Sequence, residues 1–306
     1  MSPPKVGGSS TPVVTRPVAD PPPPEVKTDA PQATAKVQDS FDSGNGPMRV
    51  EISKDHKISD AQLKEIAKKD PDLARSIKEA QVSYSGLLDK GAKIVATTSA
   101  GNGGKPVLTV VPPSLANNTD ASKQYNVEVH YHGMDGRASK PNADSPVASR
   151  IADSFNKQPP TVYVLPEWKG TNDWSNVKNT GTTVTDATKG IAGAQGQLTV
   201  SAHSLGRKAV QSAIQNGGLK ADKLDIQDAF YRTQPEGPEL VAKWAKEHPD
   251  AKVRVLTTTG NPKNPSEDAM SDMKTIKGQA KWPSNVTFDD QSAVVHNHWQ
   301  AELRPW

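Results

Sequence analysis

The chain has no cysteine, few aromatic residues and no long apolar run, and each absence narrows what it can do. Without cysteine it forms no disulfide, uses no thiolate nucleophile and builds no cysteine-ligated zinc site. Aromatic residues make up only 5% of its 306 residues and apolar residues 34%. That is lean for the length and predicts that part of the chain stays outside a folded core. No stretch approaches the ~20 apolar residues of a membrane-spanning helix, and the opening Met1-Ser2-Pro3-Pro4-Lys5 lacks the apolar segment of a signal peptide. The expected location is therefore cytoplasmic, or exported by a route that reads no such peptide. An excess of one charge is missing as well. The 37 basic and 34 acidic residues leave a net charge of +3, and no basic block is interleaved with aromatics, so neither a nucleic acid nor a membrane is the expected partner.

Proline is abundant but concentrated. Ten of the 26 prolines fall in the first 47 residues, among Gly, Ser and Thr, and Pro21, Pro22, Pro23 and Pro24 form a run. Residues 1–46 read as a disordered, polyproline-like tail that cannot bury enough apolar surface to offset its ordering entropy. Residues 47–124 read as a helical and β-hairpin extension packed on the core. Ser59-Asp60 caps a helix through Lys69, and Asp70-Pro71 starts a second, in which Leu73, Ile77, Ala80, Tyr84, Leu87 and Leu88 recur at helical spacing to about Asp89,. Lys93–Thr98 and Pro106–Val111 form two strands joined by Ser99–Lys105,. The Gly104-Lys105 pair is not a phosphate loop. Ser99 stands where the first glycine belongs and Pro106 where the Mg-binding hydroxyl belongs,.

From residue 125 short apolar strands alternate with helices, the pattern of a mostly parallel sheet with helices on both faces. The expected strands are Tyr125–Tyr131, Thr161–Leu165, Leu198–Ala202, Leu224–Ala229, Lys252–Thr257 and a last one at Pro283–Phe288. The expected helices are Ser145–Phe155, Gly206–Gln215, Pro238–Glu247 and Glu267–Ile276. One junction stands out. In Leu198-Thr-Val-Ser-Ala-His-Ser204-Leu-Gly206-Arg-Lys-Ala-Val210 a strand turns through Ser204 into a helix, with Ala202 and Gly206 as the small residues that so sharp a turn requires on either side. Such an elbow lifts the serine hydroxyl clear of the sheet and sets the Leu205 N–H beside a developing oxyanion.

Through this motif and those that follow it, residues 125–306 resemble the α/β-hydrolase superfamily, in particular its serine esterases and lipases. The resemblance implies an α/β-hydrolase catalytic domain with no cofactor, acting on a small-molecule or lipid-like ester or amide. It implies that the loop in Val127-Glu-Val-His-Tyr-His132-Gly133-Met134-Asp-Gly136 supplies the second oxyanion N–H, from Gly133 or Met134. The acid is expected at Asp228, at the end of Leu224–Ala229, where some members of the superfamily carry it, with Glu267 in reserve because many place it one strand later. The base is expected at His296 in Ser292-Ala-Val-Val-His296-Asn-His298, with His298 the alternative. The order Ser204, Asp228, His296 matches the superfamily's nucleophile, acid, base order.

Two other readings remain. His130 and His132, like His296 and His298, are His-x-His pairs whose rings share one face of a strand, an arrangement that suits a zinc-dependent hydrolase with Asp135 as a further ligand. The chain could instead keep the fold as a non-catalytic interaction protein. His203 reads as a rim or packing residue. Trp168 and Trp174 either line a cleft or cover the edge of the core.

Overall fold

A computed structural model describes residues 47–133, 137–141, 145–168, 174–231, 236–258, 272–292 and 298–305. The tail 1–46 lies outside them. The described residues all fall in one compact unit, Asp39–Trp306.

The chain enters with β1 (Arg49–Ile52), followed by the helices α1 (Asp60–Lys69), α2 (Pro71–Ser83) and α3 (Ser85–Asp89). Ser59 caps α1 in a reciprocal box with Gln62, and the Asp70 carboxylate accepts from the Leu73 N–H while Pro71 opens α2,. The single helix expected to run to Asp89 is broken at Tyr84. Ser83, Ser85 and Gly86 are weak helix formers, and the Tyr84 hydroxyl is held by the Ala138 carbonyl at 2.5 Å. Strands β2 (Lys93–Ser99) and β3 (Lys105–Val111) form the expected hairpin, in register from Lys93 opposite Val111 to Ser99 opposite Lys105. After the short α4 (Pro113–Ala116) come β4 (Gln124–Tyr131), α5 (Val147–Ser154), β5 (Thr161–Pro166), α6 (Thr180–Thr188), β6 (Ala194–His203) and α7 (Arg207–Gln215). The chain ends with β7 (Lys223–Gln227), α8 (Glu236–Glu247), β8 (Lys252–Thr257), α9 (Met273–Gly278) and β9 (Val286–Asp290).

These strands make one sheet in the order β1-β2-β3-β5-β4-β6-β7-β8-β9. Strands β5, β4, β6, β7, β8 and β9 are parallel, and the β1-β2-β3 meander joins antiparallel through β3 to β5. The fold class is the expected α/β one. Period-two alternation on the strands buries both faces. Val107, Val127, Val162, Val200, Ile226 and Val253 pack with residues of α6, α7, α8 and α9 on one face. Ile94, Leu108, Val110, Tyr163 and Leu165 pack with α1, α2, α3 and α5 on the other.

Helix α6 is not among the helices expected from sequence: Thr180-Gly-Thr-Thr-Val-Thr-Asp-Ala-Thr188 is rich in poor helix formers,. It is helical because Asn179 caps it and Val184 and Ala187 bury in the core, while the hydroxyls of Thr183, Thr185 and Thr188 donate to carbonyls one turn back,. Strand β6 begins four residues before the expected Leu198, and α9 starts later than the expected Glu267, which lies outside the described residues. Among the described residues no helix is long and apolar enough to cross a membrane.

Candidate active site

The register of the parallel strands brings the candidate residues to one level. Tyr131 on β4 pairs with Ala202 on β6, and His203 on β6 pairs with Gln227 on β7. The next residues of β6 and β7, Ser204 and Asp228, therefore leave the sheet side by side, and Gly133 leaves β4 on the other side of the serine. All three stand at the carboxyl ends of the strands, the edge where open α/β sheets bind ligands.

Ser204 sits at the elbow with φ of +52°. One 3-10 turn, Ser204–Gly206, links β6 to α7. A left-handed backbone at a non-glycine residue is costly, and its occurrence at the end of a strand marks a stored constraint. Gly206 is required for a different reason. Its own φ is an ordinary −55°, but a Cβ there would lie 2.1 Å from the Tyr131 carbonyl oxygen and 2.9 Å from that of His132. The missing side chain lets the end of β4, and so the approach to Gly133, lie directly against the elbow. Leu205 takes the position beside the nucleophile at the start of the turn, and Met134 lies outside the described residues.

The Ser204 Oγ is 2.8 Å from the hydroxyl of Tyr231, a half-buried residue three positions beyond Asp228. The guanidinium of Arg207, on the first turn of α7, lies 4.8 Å from the centre of the Tyr231 ring and donates to Gln211 at 3.0 Å. Asp228 is buried and has φ of +48°. Its backbone N–H donates to Leu256 at 2.8 Å, and its carboxylate accepts the Thr258 N–H at 3.1 Å and the Thr258 hydroxyl. His296 and Glu267 lie outside the described residues, and His298 opens the turn His298–Ala301.

Beneath the elbow, the sheet face opposite the α7 side is polar. Glu128, His130, Ser201, Asp225, Gln227 and Arg254 alternate with the apolar positions of β4, β6, β7 and β8, and the C-terminal segment closes over them. His130 Nδ1 meets the Ser201 hydroxyl and Nε2 meets the Glu302 carboxylate, both at 2.9 Å. Burial alone would raise the Glu302 pKa, but the hydrogen bond from His130, the charges of His203 and His130 and the Ser145 hydroxyl hold it down at about 2. Gln227 accepts the Leu303 N–H at 2.8 Å, Arg254 reaches the carbonyls of Arg304 and Pro305, and Arg150 those of Gln300 and Glu302. On the other flank the Gln291 N–H donates to the Thr257 carbonyl at 2.8 Å. One flank of the segment that carries His296 is thus tied to β8, and the other to β4, β7, β8 and α5.

His130 is therefore a partner of Ser201 and Glu302, while His132 donates from Nδ1 to the Gly133 carbonyl at 2.7 Å and packs edge-on against Trp174. Among the described residues no three His, Cys, Asp or Glu side chains converge as a metal site. Asp135 and His296 of the zinc reading lie outside them. His203 is fully buried, as a packing residue rather than a rim one, and Trp168 and Trp174 are buried in the core with ring centres 5.4 Å apart. Reasoning from sequence missed Tyr231, Arg207 and Glu302 as neighbours of the site. The one signal available for Glu302 was the polar period-two stripe on β4, which needs a buried partner.

The segment after Gly133 is anchored by a carboxyl pair. Ser139 donates its N–H to Glu167 at 2.8 Å, and its hydroxyl lies 2.7 Å from a carboxyl oxygen of both Glu167 and Glu79. One hydroxyl proton serves only one acceptor, so the second contact becomes a hydrogen bond when a carboxyl brings its own proton. Burial, only partly offset by the bonds from Ser139, raises the Glu167 pKa to about 7, and burial lowers that of His132 to about 4.

These two buried groups have opposite effects on stability. Below its ordinary 6.5, and down to about 4, His132 takes up a proton only when the chain unfolds, so stability falls as pH drops through that window. Between 4.5 and about 7 the folded chain instead holds the extra proton on Glu167, so stability falls as pH rises. Each shift corresponds to about 3 kcal/mol over its window, and the two largely cancel between pH 4.5 and 6.5. Replacing His132 with Gln exposes the Glu167 slope, giving a melting temperature that falls from pH 4.5 to 7. Glu167→Gln gives the reverse slope from pH 6.5 to 4. Parallel slopes in the two variants would refute the assignment.

No protein-family model and no curated protein matches the chain. Solved structures do. It is similar to FphF, a fluorophosphonate-binding serine hydrolase of Staphylococcus aureus, at 12% identity and a TM-score of 0.40 over 64% of this chain and 88% of that one. It is similar to the carboxylesterase CesB of Bacillus subtilis at 10% identity and a TM-score of 0.39 over 70% and 89% of the two chains. A third is XC6422 of Xanthomonas campestris, an α/β serine hydrolase without a lid, at 13% identity and a TM-score of 0.35 over 64% and 84%.

Proposed function

We propose that the chain is a serine hydrolase of the α/β-hydrolase type, cleaving an ester or amide of a small or lipid-like molecule through an acyl-enzyme. The observation that carries this reading is Ser204. A serine with φ of +52°, at the carboxyl end of a central parallel strand, followed by a Cβ-free Gly206 that lies against the end of β4, has the strand-to-helix turn of a nucleophile elbow.

In this reading His296 takes the Ser204 proton as Oγ attacks the carbonyl carbon. Asp228 orients the imidazole and stabilises its positive charge. The Leu205 N–H and that of Gly133 or Met134 receive the oxyanion, which appears only after the substrate carbonyl is attacked, so their bonds favour the transition state over bound substrate. His296 is favoured by its flank: Gln291 bonds to the Thr257 carbonyl, and Thr257 follows Leu256, the β8 partner of the residue before Asp228. His298 remains the alternative base and Glu267 the alternative acid. The chemistry needs no cofactor. A fluorophosphonate probe, followed by peptide mass spectrometry, is expected to mark Ser204 and no other serine, and labelling is expected to slow when an excess of a p-nitrophenyl ester substrate is present with the probe. A folded chain that stays unlabelled overturns the proposal.

A further inference from the structure

Tyr231 approaches Ser204 from a definite side. Strand β6 lies between β4 and β7. The end of β4 leads to the oxyanion residue Gly133, and the end of β7 carries Asp228 and then Tyr231. The tyrosine hydroxyl, 2.8 Å from Oγ, is therefore on the flank of the nucleophile away from the oxyanion donors and shared with the acid. Once Oγ has bonded to a substrate carbonyl carbon, the oxyanion points toward β4, and the departing group occupies the flank from which the proton is returned.

We propose that Tyr231 is a further catalytic residue, whose hydroxyl donates a hydrogen bond to the departing oxygen of an ester substrate. This rests on the serine-hydrolase reading. In acylation the Ser204 proton passes to the base, the Oγ–C bond forms and the carbonyl π pair moves onto oxygen. That pair then returns, the bond from carbon to the departing oxygen breaks, and its electrons stay on that oxygen, which takes the proton back from the imidazolium. Tyr231 keeps its own proton throughout. Its contribution is a donor to the charge that gathers on the departing oxygen before the proton arrives.

Two features fit the hydroxyl to that task. The Arg207 guanidinium stands 4.8 Å from the ring centre, and a cation at that place draws electron density from the phenol, making its O–H a stronger donor. Arg207 is itself buried and bonded to Gln211, so ring and charge are held in a fixed relation. Tyr231 is only half-buried, which leaves its hydroxyl within reach of a bound substrate.

The test compares two esters of one acyl group, an ethyl ester and a p-nitrophenyl ester, on the full chain and on Tyr231→Phe. Phenylalanine keeps the ring under Arg207 and removes only the donor, so the melting temperature is expected to stay within a degree or two. A stabilised phenolate leaves without help, whereas an alkoxide does not. The acylation rate on the ethyl ester is expected to fall about 10- to 100-fold, as losing one hydrogen bond to a charged oxygen implies, and on the p-nitrophenyl ester less than about 3-fold. Equal losses on both esters, or none, overturn the role of Tyr231 while the unaltered chain still labels at Ser204. An unaltered chain that neither labels nor hydrolyses either ester overturns the hydrolase reading, and this proposal with it.

Discussion

Ser204→Ala is expected to abolish ester turnover and fluorophosphonate labelling while leaving the fold intact. The loss in kcat is about three decades or more, because the nucleophile of a triad has no substitute and only binding and oxyanion stabilisation remain. The fold is expected to survive for reasons visible at the elbow. Alanine carries the same Cβ as serine, so the strain of the +52° φ is unchanged, and Ala202 and Gly206 keep their packing against β4. Among the described residues the side-chain interaction lost is the 2.8 Å contact between Oγ and the Tyr231 hydroxyl, worth about 1 kcal/mol at a half-buried site. The measurement pairs a rate assay with thermal unfolding. A variant that melts like the parent but neither turns over nor labels meets the expectation. A variant that keeps labelling removes Ser204 from the chemistry.

How much of this molecule was legible in its sequence depended on the range of the interaction involved. The capped starts of α1 and α2, the β2–β3 hairpin and the strand-elbow-helix around Ser204 are set by neighbours within a few residues, and each appears near its expected place. Helix α6 was not legible. Its threonines are poor helix formers, and the burial of Val184 and Ala187 that outweighs them is a long-range contact,. The polar layer under the site was half legible. Val127-Glu-Val-His-Tyr131 alternates plainly, but the partner of His130 is Glu302, 172 residues away, and no local pattern announces a pairing across a sheet face. Tyr231 was hidden for a similar reason. Nothing in Asp228-Ala-Phe-Tyr231 says that the tyrosine turns toward Ser204, because that depends on how β7 lies beside β6. His203 and the two tryptophans are buried, the tryptophans in the core beside Tyr131, a placement that depends on packing across the sheet and not on their sequence neighbours.

The second large effect is expected from Asp228→Asn, which should lower kcat by several decades without unfolding the chain, while Glu267→Gln changes little. Asparagine suits the position structurally. With aspartate it is among the non-glycine residues that best tolerate a left-handed backbone, so the φ of +48° is retained. The backbone N–H still donates to Leu256, and the amide oxygen can still accept the Thr258 N–H seen at 3.1 Å. What is lost is charge and acceptor capacity. An amide cannot stabilise an imidazolium, and its NH2 group, turned toward the base, selects the tautomer that cannot deprotonate Ser204. Because His296 would then hold its proton on the wrong nitrogen, the defect should appear in kcat far more than in KM, and fluorophosphonate labelling should slow in proportion. The alternative is equally concrete. A purely structural aspartate, bound only to the threonines of β8 and its end, would give Asp228→Asn a lower melting temperature with near-normal kcat. If in addition Glu267→Gln silences the enzyme, the acid belongs to the later strand.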